Sequence, residues 1–374
     1  MKNRLSLTIV SIFFFLSIAL SPIAFAALPK SDFSENENRV LASLPEFSFS
    51  SLMSGSYNSK IESYTVDHFP ARDFFVGLKT KIDLISGKKE INGVFVCKDG
   101  YYMDVYKKPQ NTGTFIKNVN ELDSSLERAE VQLMLVPTAC CVYSEYLPKN
   151  AICYDQLETI DEVYSSVSCR TIDVASVLFE NKNSRKLYYK LDHHWTTGAA
   201  YLAYVQYCFS NSLVAESEDN FKKVSVTDSF KGTTFSKVND YSAKGESIER
   251  YDLPGLEVKV TYDDTGEVSD SMYAPDYLEK KDKYSYFLNN LHYLLTIENE
   301  NVKTDEEIVV VKDSYANCFI PFLASQYKKI YVIDPRNYND VISDFVNEHK
   351  NVKTVLVLYN VGTLDSDSGV SNIF

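Results

Sequence analysis

Three short apolar runs, at 306–311, 329–333 and 352–359, lie close together near the C-terminal end of the chain. Between them, 316–327 and 338–349 have the composition of helices. Strands and helices alternating at this spacing predict a parallel sheet with right-handed crossovers and helices on both faces. The earlier run 131–136, stopped by Pro137, reads as another buried strand of the same α/β core. Such sheets bind ligands outside the carboxyl ends of their strands. The residues there are Asp313-Ser314, Asp334-Pro335-Arg336 and Asn360.

The remainder of the chain is less regular. The stretch around Ile91 to Met103 reads as a hairpin turning at Asp99-Gly100. The stretch from Phe33 to about Gly87 is polar, mixed and helix-compatible, and reads as an extended arm followed by a helix near 73–85. An acidic, irregular region at about 211–301 reads as a surface insertion with a few antiparallel strands. Residues 27–90 are thus expected to form an N-terminal arm and helix, and 91–374 one catalytic domain that carries the insertion.

Lys2 and Arg4 precede an uncharged stretch with Ile12-Phe13-Phe14-Phe15-Leu16 at its centre and Ala24-Phe25-Ala26 near its end. A basic start, an apolar core and an Ala-x-Ala site describe a secretory signal peptide, and the stretch is also long enough for a membrane anchor. Either reading of residues 1–26 places the rest of the chain outside the cytoplasm, secreted or anchored to the outer face of the membrane. With 51 acidic against 38 basic residues the net charge is −13. This balance excludes a nucleic-acid partner, which requires a basic field. Seven cysteines, an odd number without CxxC spacing, are expected to be mostly reduced and buried. Cys153 and Cys169 are the pair to test for a disulfide.

Ser314 follows a strand and precedes a helix, a position that suits either a helix N-cap or a nucleophile near amides that can hold an oxyanion. A serine nucleophile needs a base in hydrogen-bond reach and an acid that orients the base. Asp192 and His194 supply both from one loop, and at a spacing of two they project to the same side of an extended chain. By itself an Asp-x-His can equally be a surface turn. Thr196 caps a small-residue helix directly after it.

The run Asp192-His193-His194-Trp195 resembles the signature of the DHHW protein family, and Asp-x-His-Trp is similar to the motif of the alginate O-acetyltransferases. Other stretches that resemble the DHHW proteins are Glu37-Asn38-Arg39, Asp67-His68-Phe69-Pro70-Ala71-Arg72, residues 311–317 and Asp334-Pro335-Arg336. The resemblance implies an SGNH-like (flavodoxin-like) three-layer α/β/α fold. It also implies Ser314 as nucleophile, His194 as general base and Asp192 as orienting acid, with the acid and base upstream of the serine. His193 fills the variable slot of the motif. Lys312-Asp313-Ser314-Tyr315 lacks the glycine that opens the ordinary SGNH serine motif, which leaves the oxyanion donors less defined.

The expected donors are the Ser314 amide and the Asn360 side chain, with a turn role for Asn360 as the alternative. Arg336 and Trp195 are expected to bind substrate, and an ion pair with Asp334 is the alternative for Arg336. Asp313 is expected to orient its loop, while His68, His292 and His349 are expected to be structural. The resemblance further implies an O-acetyltransferase acting on an exopolysaccharide or cell-wall glycan. A membrane-bound acyltransferase partner would supply the acetyl group, and the chemistry needs no metal and no organic cofactor. An acetylesterase and a non-catalytic glycan-binding protein are the competing readings. A metal-dependent DHH phosphoesterase would require further aspartate motifs that the sequence lacks.

Overall fold

The computed structural model of the chain describes residues 2–374, apart from the side chains of residues 2–7, 10, 13 and 17. Lys2 and Arg4, the basic residues of the expected leader, therefore lie outside the described side chains. The chain forms two units, Met1–Lys88 with Asn239–Ser242, and Lys89–Val238 with Ala243–Phe374.

In the first unit the apolar N-terminal stretch is a helix, Lys2–Ala27, that contains Pro22. Among the described residues no helix is long and apolar enough to cross a membrane. The stretch expected to be extended is instead helical over Ser56–Asp67, ahead of the helix Arg72–Ile85. Apolar periodicity is weak in 56–67, and the end of this helix is fixed by charge. Asp67 accepts hydrogen bonds from Arg39 Nη1 at 2.9 Å, Arg39 Nη2 at 2.5 Å and the Ala42 amide at 2.8 Å. The Arg39 guanidinium lowers the Asp67 carboxyl to about 2. Glu37 accepts from Arg39 Nε and Arg72 Nη2, both at 2.7 Å, and His68 Nε2 meets the Ala42 carbonyl at 2.8 Å. The two N-terminal motifs thus close into a single ion-pair cluster.

The second unit is built on an eight-stranded sheet. Its parallel part runs, in spatial order, Lys329–Ile333, Glu307–Lys312, Val352–Asn360, Glu130–Val136 and Arg170–Thr171. Three antiparallel strands, Leu294–Glu298, Lys259–Tyr262 and Glu267–Ser269, extend it beyond Lys329–Ile333. The second half of the expected surface insertion therefore belongs to the main sheet, while its first half forms a separate pair, Lys222–Phe230 with Glu246–Asp252. In the central strands nearly every side chain is buried, as expected where helices cover both faces. Thr112–Ser125 packs with Gln156–Ser166 and Ile342–Glu348, and Thr197–Ser210 packs with Ala175–Asn181 and Ile320–Leu323.

Of two local expectations, one holds and the other is modified by backbone chemistry. The hairpin forms, Val94–Val96 against Tyr102–Asp104, with Asp99 at φ 54° and Gly100 at φ 77° as a tight two-residue turn requires. After Ser314, however, the chain makes a 3-10 turn, Ser314–Cys318, and only a four-residue helix, Ile320–Leu323. Pro321 lacks an N–H and fits only the first turn of a helix, so it restarts the helix instead of continuing one.

Candidate active site

Glu307–Lys312 is followed in sequence by a strand on one side of it and later by Val352–Asn360 on the other. The strand order thus reverses beside it, which is the place where sheets of this kind bind ligands. Asp313 and Ser314 directly follow Glu307–Lys312 and Asn360 ends Val352–Asn360. Asp313 caps the 3-10 turn by accepting the Tyr315 amide at 2.8 Å. Ser314 is therefore not the cap and its hydroxyl is left for other contacts. It is partly exposed.

The second element of the site arrives from 120 residues upstream. Tyr188 and Trp195 pair as an antiparallel bridge, and Glu246 binds the Lys190 and Leu191 amides at 2.9 and 2.7 Å. Asp192, His193 and His194 are thereby held at the tip of a tight loop. Trp195 Nε1 donates to the Tyr315 carbonyl at 2.8 Å, and the Tyr315 hydroxyl donates to the His193 carbonyl. This reciprocal pair fastens the loop to the serine turn.

As a result His194 Nε2 lies 2.8 Å from Ser314 Oγ, and His194 Nδ1 lies 2.5 Å from Asp192 Oδ1. The other Asp192 oxygen accepts from the Thr233 amide at 2.8 Å and the Thr233 hydroxyl at 3.1 Å. Burial alone would raise the Asp192 pKa, but the two histidines and their hydrogen bonds outweigh it and hold the carboxyl well below the usual range. Burial lowers His194 to about 4, with the nearby His193 acting in the same direction. The ring is consequently neutral near pH 7, with a lone pair available to take a proton. His193 Nδ1 meets Thr233 Oγ1 at 2.6 Å and is partly exposed. Burial opposes its charged form, yet the Asp192 carboxylate raises its pKa overall.

Four sequence expectations are corrected. Both Nδ2 hydrogens of Asn360 are committed, to Asp313 Oδ2 at 2.7 Å and Thr363 Oγ1 at 3.1 Å, so the side chain has none left for an oxyanion. It offsets the buried charge of Asp313, which burial raises to about 6. Trp195 is 0% exposed and cannot touch a substrate. Arg336 is bound by Asp334 through Nε at 2.7 Å and Nη2 at 2.5 Å, and Lys312 reaches the same carboxylate at 2.9 Å. The ion pair therefore prevails at Arg336, because a fully buried Asp334 needs compensating charge. Cys153 lies against Cys140, not Cys169, and all seven cysteines are free. The Ser314 amide remains as a donor, since the first amides of such a turn have no internal acceptor.

The sequence reading missed Gly232, Thr233, Glu246 and Tyr284. A Cβ on Gly232 would stand 2.0 Å from Asp192 Oδ2, so the backbone there must be bare for the acid to fit. The Gly232-Thr233 pair, a possible turn-and-cap signal, was the only available hint. A cavity of about 460 Å³ opens beside the relay, bounded by Tyr102, Asp104, Thr138, His193, Lys237 and Thr363. Asp192, His193 and His194 also present ligand atoms within 4.8 Å of one another, as a metal site would. Both His194 nitrogens and both Asp192 oxygens are already engaged, so a metal ion there would have to break the relay.

A mostly parallel α/β sheet, with a serine, an imidazole and a carboxylate joined across its switch point, has the SGNH-like fold. More narrowly, the chain belongs to the DHHW protein family, whose sequence profile matches residues 85–333. Similar solved structures include a DHHW family protein from Eubacterium siraeum, with 21% identity and TM-score 0.66, covering 76% of this chain and 96% of that one. Bacillus cereus PatB1, solved with a sulfonyl adduct, has 20% identity and TM-score 0.62, covering 75% of this chain and 98% of that one. The O-acetyltransferase domain of Pseudomonas putida AlgJ is more distant, with 12% identity and TM-score 0.47, covering 73% of this chain and 92% of that one. No curated protein sequence matches the chain.

Proposed function

We propose that the protein is an O-acetyltransferase that works outside the cytoplasm on an exopolysaccharide or cell-wall glycan. The observation that carries this reading is the continuous relay from Asp192 through His194 to Ser314, closed at 2.5 and 2.8 Å. His194 Nε2 takes the Ser314 proton as Oγ attacks the acetyl carbonyl of the donor. Asp192 fixes the ring with Nδ1–H towards itself and stabilises the imidazolium that forms. The Ser314 amide faces the developing oxyanion, and one such donor contributes about 10²–10³ in rate. His194 then returns the proton to the leaving group, and acetyl-Ser314 remains. A sugar hydroxyl, deprotonated by the same ring, attacks the ester, and collapse of the second tetrahedral intermediate restores the serine.

The apolar N-terminal stretch supports a location where acetyl-CoA is absent, so a membrane-bound acyltransferase would pass the acetyl group to this protein. With water in place of the sugar the same steps make an acetylesterase. The deciding experiment incubates the purified protein with an acetyl donor and candidate oligosaccharides and compares it with Ser314→Ala by mass spectrometry. Acetylated oligosaccharide from the wild type alone is the expected result. Free acetate alone would make the protein an esterase. No product, together with no labelling of Ser314 by a sulfonyl fluoride, would leave a glycan-binding scaffold.

A further inference from the structure

Outside the serine relay, two cysteine sulfurs lie in contact. Cys153 Sγ and Cys140 Sγ lie 3.6 Å apart, and among the described residues they are the one pair of cysteines in hydrogen-bond contact. Their settings differ in a useful way. Cys140 is buried on the short helix Ala139–Val142 that follows Glu130–Val136, and it lines the cavity beside the relay. Thr138 Oγ1 at 3.4 Å and Gln156 Nε2 at 3.2 Å fix its sulfur. Cys153 is partly exposed, in the irregular segment before the helix Gln156–Ser166, next to Ile152 at 90% exposure. No helix or strand restrains that segment, so the sulfurs can close to the bonding distance of about 2.0 Å by its movement.

We infer that Cys140 and Cys153 form a disulfide by exchange with an external disulfide. The Cys153 thiolate attacks one sulfur of RS–SR and expels RS⁻. The Cys140 thiolate then attacks the Cys153 sulfur of the mixed disulfide and expels the second RS⁻. The pair is oxidised, the external disulfide is reduced to two RSH, and the two cysteine protons go to the two thiolates released. Cys153 is suited to the first attack, because the hydrogen bond with Cys140 lowers its thiol to about 7 while Cys140 itself is raised. The bond would tie the loop to the rim of the cavity and persist in an oxidising compartment.

The full chain is incubated with glutathione disulfide, unfolded with denaturant, alkylated without reductant and mapped by mass spectrometry. Titratable thiols should fall from seven to five, with one cross-linked peptide that joins Cys140 to Cys153. Oxidation should raise the thermal midpoint of the wild type by a few degrees and leave that of Cys153→Ser unchanged. Seven thiols after incubation, or a cross-link from Cys153 to Cys97, Cys141 or Cys169, would overturn the assignment. The mapping is done on the wild type, so it does not depend on how the variant folds.

Discussion

The Tyr284 ring lies flat on the His194 imidazole, with centroids 3.6 Å apart and planes 12° from parallel. One face of the base is thereby sealed from water, and desolvation is the main reason why His194 falls to about 4. Tyr284→Ala should admit water and raise that pKa by about one to two units towards its ordinary value near 6.5. The acid limb of kcat/KM against pH should move up with it, whereas Tyr284→Phe should leave the limb in place. An unmoved limb in the alanine variant would show that the stack does not set the pKa.

The wild-type profile itself follows from the same group. Activity of the free enzyme should be flat from about pH 5 to 7 and fall about tenfold per unit below about pH 4, as His194 takes the proton it must accept from Ser314. Stability should respond in the same sense. The unfolded chain binds this proton near 6.5 and the folded one only near 4, so His194 contributes stability above 6.5 that is lost as the pH falls to 4. The loss is on the order of 3 kcal/mol. Asp313 acts oppositely, because its contribution is present below about 4 and lost as the pH rises through about 6. Denaturant titrations of wild type and His194→Gln across this range isolate the histidine contribution as their difference.

Asp192→Asn keeps the shape of the acid but offers His194 no carboxylate. Nδ1–H is then no longer held, and kcat should drop by about 10⁴. Thr233→Ala, which removes one of the four hydrogen bonds to Asp192, should cost about tenfold with little change in KM. Steady-state kinetics on both variants provides the check.

Gly232→Ala tests the packing behind the acid. Its methyl group would overlap Asp192 Oδ2, so the carboxylate must shift and the relay must open. Activity should fall by at least 10²-fold and stability by about 1–3 kcal/mol. Alanine tolerated at full activity would show that the loop can yield there.

Trp195→Phe separates a positioning role from substrate contact. It leaves the Tyr315 carbonyl without its buried donor and should cost about 1–3 kcal/mol in unfolding experiments. It should lower kcat through the displaced serine turn while KM for the acceptor stays constant. A change confined to KM would return Trp195 to the substrate.

Parallel strands buried on both faces leave continuous apolar runs, so the runs at 306–311, 329–333 and 352–359 were readable directly, and with them the sheet edge where Ser314 stands. Ser314, His194 and Asp192 were singled out through the resemblance of Asp192-His193-His194-Trp195 to the DHHW signature, since position and spacing alone allowed a cap and a surface turn equally well. The meeting of Asp192 and His194 with Ser314 depends on two hydrogen bonds, from Trp195 to the Tyr315 carbonyl across 120 residues and from the Tyr315 hydroxyl to the His193 carbonyl across 122. Only packing decides such contacts, because neither periodicity nor local propensity encodes a partner that far away. The same holds for Asn360, drawn to Asp313 by a buried charge, for Arg336, drawn to Asp334, and for Tyr284 and Gly232, which come from an irregular region where only the Gly232-Thr233 pair hinted at a turn. The sequence determined which groups are available and which strands carry them; desolvation in the folded core determined which of them remain free to react.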